Sequence, residues 1–78
     1  MESFSANIAK ALLGRNVNLH LKDGAVIINV KLTGIYKLSA RSNEIEYTPS
    51  TNNRTSRLPA RNVAWAELIN LNFLQKIA

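Results

Sequence analysis

The stretch Val26-Ile27-Ile28-Asn29-Val30-Lys31-Leu32-Thr33-Gly34-Ile35-Tyr36-Lys37-Leu38 decides the fold. Val26, Ile28, Val30, Leu32, Gly34, Tyr36 and Leu38 share one parity. Asn29, Lys31, Thr33 and Lys37 take the other, with Ile27 and Ile35 as exceptions. A period of two marks a strand with one buried face, because successive side chains leave a strand on opposite sides. At about 3.3 Å per residue the stretch would extend roughly 43 Å, whereas a compact chain of this length is about 30 Å across. The strand has to bend. Gly34, with no side chain on what this parity makes the inner face, is the expected place. A long strand bent at a glycine lets a short chain close a small barrel.

Upstream, Asp23-Gly24 predicts a tight type I′ hairpin, whose two central residues both need positive φ. Before it, Val17, Leu19 and Leu21 alternate with Asn18, His20 and Lys22 and form the partner strand. Residues 3–13 carry Phe4, Ile8 and Leu12 at i, i+4 and i+8, the pattern of an amphipathic helix. Ser3 or Ser5 serves as its N-cap and Gly14 as its left-handed C-terminal cap.

Downstream, Ser39–Asn43 is polar and turn-prone, and Glu44–Thr48 reads as a strand with Ile45 and Tyr47 inward. Residues 49–55 form a loop by composition. A short strand is expected over Ser56–Arg61, with Pro59 demoting it to an edge or a bulge. Ala64, Trp65, Ala66 and Leu68 begin a last strand. Leu71, Phe73, Leu74 and Ile77 make an apolar tail that continues this strand or turns helical and packs on the barrel or a neighbouring copy.

With 78 residues there is room for one domain: a helix over 3–13, a barrel over 16–68 and a tail over 69–78. Hydrophobic residues make up 46% of the chain, which suits a folded domain. The absence of cysteine excludes disulfide scaffolds, zinc knuckles and thiol catalysis. No apolar run reaches the roughly 18–20 residues of a membrane span. Glu2 and Lys10 disqualify the N-terminus as a signal peptide, so a soluble cytoplasmic protein is expected. Ten Lys and Arg against five Asp and Glu leave a formal charge of +5, which favours a polyanionic partner. A core this small gains from oligomerisation.

The order of elements, and Leu13-Gly14-Arg15-Asn16-Val17-Asn18-Leu19-His20-Leu21-Lys22-Asp23-Gly24 in particular, resembles the Sm-like (LSm) family, whose bacterial branch is Hfq. The segment looks like the opening of that family's first motif, an apolar-Gly start leading to Leu-x-Asp-Gly. Asn29 stands where the family usually has a glycine, five residues after Asp-Gly. The bent strand is about four residues longer than usual. Allowing for that, Ser39–Asn43 falls on the family's Asp-x-x-x-Asn loop, with Asn43 retained, Ser39 in place of Asp and Arg41 at the base-stacking position. Leu58-Pro59-Ala60-Arg61-Asn62-Val63-Ala64-Trp65 is similar to the second motif, Arg61 matching its arginine after a one-residue gap.

The resemblance implies a mainly β fold: a small, strongly bent five-stranded antiparallel barrel, Sm-like or SH3-type, with an N-terminal α-helix. It also implies a homo-oligomeric ring of roughly five to seven subunits that binds single-stranded RNA, or DNA, around its hole. Arg41 would stack on a base through its planar guanidinium, and Asn43 would read the base edge with an amide that both donates and accepts. Arg61 would hold phosphate, and Ser39 or Asn62 would supply a second hydrogen bond. The bland alternative is that Ser39–Asn43 is an ordinary turn.

Arg54 and Arg57 lie in a stretch without acidic residues, either a second basic surface or a solvated loop. His20 has no ligand partners at metal spacing. Glu44 and Glu46 share a strand face and suit salt bridges better than acid–base work. Trp65, Tyr47 and Tyr36 read as packing residues of the core or a subunit interface. No phosphate loop, catalytic triad or cofactor motif is present, so neither an enzyme nor a cofactor is expected. The rival readings are a structural ring that contacts protein partners and a monomeric adaptor in a larger particle.

Overall fold

A computed structural model describes residues 4–69. The described elements are α1 (Ala6–Ala11), β1 (Asn16–Leu21), β2 (Val26–Ser39), β3 (Ser42–Pro49), β4 (Ser56–Pro59), a 3-10 turn (Ala60–Asn62) and β5 (Val63–Leu68). The strands form one antiparallel sheet in the order β4-β3-β2-β1-β5. No ladder joins β4 to β5 among the described residues, so both remain open edges. Ser3, expected as one possible cap, and the apolar tail from Leu71 lie outside the described residues. None of the described helices is long and apolar enough to cross a membrane.

The helix is shorter than its apolar stripe suggested. Ser5 has extended backbone and its hydroxyl accepts from the Ile8 N–H at 3.3 Å, so helical geometry starts only at Ala6. It ends at Leu12, and Gly14, at φ +79°, turns the chain so that its N–H donates to the Leu32 carbonyl at 2.8 Å. Phe4 precedes the helix and packs against the core.

The Asp23-Gly24 turn is of a different type from that expected. Only Gly24 has positive φ. The Gly24 N–H donates to the Leu21 carbonyl at 3.0 Å, and the Asp23 carboxylate accepts from the Ala25 N–H at 2.9 Å. This is a four-residue turn closed by a left-handed glycine, a longer hairpin loop than type I′. The Asp23 side chain stabilises it without entering the left-handed region itself.

The simple parity of the long strand fails at bulges: two lie within its body, and a third register shift, between Lys37 and Ser39, lies at the hairpin end. Val17 faces Val30 but Leu19 faces Ile27, so one extra residue is inserted in β2 around Asn29. Leu32 faces Tyr47 but Gly34 faces Glu46, a second insertion around Thr33. Each insertion swaps the faces of the strand. The inward residues are therefore Ile27, Val30, Leu32 and Ile35. Val26, Ile28, Tyr36 and Leu38 point outward; Ile28 is 70% exposed. Gly34 lies on the outer face as well, under the ring of Tyr36.

The first bulge is wired into its surroundings. Asn29 has φ +54°. Its N–H donates to Asn18 Oδ1 at 2.8 Å, and its carbonyl accepts from both the N–H and the hydroxyl of Ser50. Both backbone polar groups of Asn29 are thus satisfied outside the ladder.

Ala9, Val17, Leu19, Val30, Leu32, Ile45, Ala60 and Val63 form one buried cluster, with Phe4, Leu58 and Ala66 packed against it. Leu58 belongs to one edge strand and Val63 and Ala66 to the other. A flat sheet would hold these edges four strands apart. The sheet must curl for both to reach the same core. Each fully buried Leu, Ile or Val contributes about 1.5–3 kcal/mol.

Downstream boundaries also shift. β3 starts at Ser42, which makes Asn43 a strand residue, and β4 ends at Pro59, so Arg61 sits on the 3-10 turn instead of a strand.

Candidate functional site

Folding brings three of the sequence-predicted residues to one cleft. Arg41, Ser42 and Asn43 reach it from the β2–β3 hairpin, and Ala60 and Arg61 from the 3-10 turn. Phe4, Ser5 and Ala6, where the chain enters α1, complete it. The opening is about 280 Å³, just under the roughly 300 Å³ at which pockets for drug-sized ligands begin. It suits one flat group.

The cleft is electropositive, with two guanidiniums and no carboxylate in its lining. Arg41 and Arg61 are exposed and Asn43 is half-buried. Asn43 lies opposite Lys37 across the hairpin, which brings a third cation to the same two strands. Ser5 Oγ is engaged by the helix cap. Chemically the site offers a planar cation at Arg41, a donor–acceptor amide at Asn43 and a charge at Arg61, with Phe4 along its edge.

The other predicted positions lie elsewhere. Ser39 closes the hairpin opposite Ser42 and does not line the cleft. Asn62 lines a separate cleft of about 260 Å³ with Leu21, Lys22 and Asp23, where its carbonyl accepts from the Lys22 N–H. Arg54 is in the exposed loop, its N–H bonded to Asn52 Oδ1. Phe4 and Ser5 are additions to the predicted set. The apolar stripe identified Phe4 as a packing residue, but its closeness to Arg41 depends on the three-dimensional path of the chain.

Arg57 is not a free cation. Its guanidinium lies 3.8 Å over the Tyr36 ring and within 3.9 and 3.7 Å of the Glu44 and Glu46 carboxylates. Tyr36 donates its hydroxyl to Glu46 at 3.2 Å and Thr33 donates to the same carboxylate at 2.9 Å. The two glutamates form salt bridges, as their spacing suggested. Tyr47 packs on the core, whereas Tyr36 and Trp65 face outward in stacks.

A second stack lies across β1 and β5. The His20 ring is parallel to Trp65, with centroids 3.9 Å apart, and His20 Nε2 is 3.1 Å from Glu67 Oε1. Asn18 Nδ2 donates to the same oxygen at 3.2 Å. The His20 bond, followed by the Asn18 bond, holds the Glu67 carboxyl below its ordinary range.

No protein-family model, curated protein or solved structure matches the chain.

Proposed function

We propose that the protein assembles into a homo-oligomeric ring and binds single-stranded nucleic acid, RNA or DNA, through the Arg41–Asn43–Arg61 cleft, in RNA processing or regulation. The observation that carries this reading is the meeting of Arg41, Asn43 and Arg61 at one electropositive opening, although they come from separate segments of the chain. A flat group stacks on the base, an amide reads its edge and a cation holds the phosphate, which is the chemistry single-strand recognition needs.

Two further features support it. The left-handed residue Asn29 stands where the Sm-like family usually carries a glycine, and asparagine is the residue best able to replace glycine there. The open edges β4 and β5 are the pair a head-to-tail contact requires, β4 of one copy adding to β5 of the next and closing the sheet surface around a ring of about five to seven copies. At +5 per chain, six copies would carry about +30.

Titration of a labelled single-stranded oligonucleotide at about 50 and 200 mM salt tests the reading. Binding that weakens steeply with salt is expected. Absence of binding at the lower salt, with a ring mass by light scattering, would instead support a structural ring that contacts protein partners.

A further inference from the structure

The stack on the outer face of β1 and β5 has no part in the cleft. A carboxylate only accepts hydrogen bonds, so His20 Nε2 carries the hydrogen shared with Glu67, and Nδ1 is left to take up a further proton. His20 and Trp65 are direct partners in the β1–β5 ladder, and the register slips immediately beyond them, between His20 and Leu21. The side-chain contacts therefore reinforce the ladder where its backbone pairing is interrupted.

We propose that His20 is a proton-operated clasp on the open β5 edge. On protonation its hydrogen bond to Glu67 becomes an ion pair and its stack on Trp65 becomes a cation–π contact, and both draw β5 onto β1. The groups facing His20 permit this. β5 presents Glu67 as its one charge on this face. β2 presents the apolar Val26 and Ile28. On β1 itself Asn18 is neutral. The turn beyond adds Lys22 and Asp23, the latter engaged by the Ala25 N–H. Glu67, held below the ordinary carboxylate range by its bonds to His20 and Asn18, supplies the negative charge of the pair. The clasp concerns how firmly β5 is held and does not depend on ring formation or nucleic-acid binding.

Trp65 is the sole tryptophan of the chain, so its fluorescence reports this stack alone. In the wild-type protein, Trp65 emission should pass through one transition between about pH 5 and 8. Amide-exchange protection factors in β5 should be about three- to tenfold higher at about pH 5.5 than at 7.5, with β3 unchanged. His20→Gln should remove both effects. Glu67→Gln should keep the fluorescence transition and lose most of the gain in protection. Flat emission and flat β5 protection in the wild type would overturn the proposal. So would a His20→Gln protein that titrates like the wild type. If that variant does not fold, the wild-type profiles and Glu67→Gln decide the matter alone.

Discussion

The ring of Tyr36 lies across Gly34 so closely that a β-carbon on Gly34 would stand 2.9 Å from its Cε2. Arg57 lies over the ring at 3.8 Å and Glu46 holds its hydroxyl, so the ring cannot swing away without losing both contacts. Gly34→Ala should destabilise the protein by about 1–2 kcal/mol. In a Tyr36→Ala background the same substitution should cost nothing, because the collision is gone and alanine restricts the unfolded chain. Urea unfolding of the four proteins in this cycle checks the coupling. Equal costs in both backgrounds would mean that the ring does not constrain Gly34.

Asn29 gives a second test, of the bulge that redirects β2. With φ at +54°, Asn29→Ala should cost about 1–2 kcal/mol, while Asn29→Gly should be close to neutral. Denaturant midpoints measure the difference. If alanine is tolerated as well as glycine, the left-handed geometry is not what shapes the strand.

Arg57 and Arg61 separate two uses of the same side chain. Arg57 is balanced by Glu44 and Glu46, whereas Arg61 opens onto the cleft. Arg61→Ala should weaken oligonucleotide binding and lower the slope of log K against log salt by about one. Arg57→Ala should leave that slope unchanged and lower stability by up to about 1 kcal/mol. Fluorescence anisotropy across a salt series reads the first effect and urea unfolding the second.

Glu67 makes the fold sensitive to acid. Its folded pKa is depressed by His20 and Asn18, so its contribution to stability is present above the unfolded carboxylate value and is lost as pH falls through the folded one. Wild-type urea midpoints should therefore drop more than those of Glu67→Gln between about pH 5 and 3. Parallel curves for the two proteins would show that the pair does not couple to folding.

The architecture was readable where one periodicity dominates. The strand alternation from Val17 to Leu21 and the left-handed Gly14 after the helix follow from local pattern; the bend expected of β2 rested on a width of about 30 Å, whereas the molecule is 44 Å along its longest axis. The faces of β2 do not follow from local pattern, because apolar side chains occupy both parities: Ile27 and Ile35, which break the simple alternation, are the inward residues, and Ile28 and Tyr36 are not. A bulge leaves no mark in composition, although Asn29 and Gly34 sit at the two insertions within the body of β2. At the cleft, Arg41, Asn43 and Arg61 could be picked out by residue type. The part of Phe4 could not, since it depends on where α1 begins. The separation of Ser39 and Asn62 from the cleft likewise depends on hairpin register and the 3-10 turn.

The role proposed for this cleft is to hold single-stranded nucleic acid. Its most direct test is the affinity of wild-type protein and Arg41→Ala/Asn43→Ala for one labelled single strand at about 50 mM salt, with light-scattering mass measured on the same samples. Equal ring masses are expected, with binding weaker by about tenfold or more in the double variant. Equal affinities at equal mass would contradict that role.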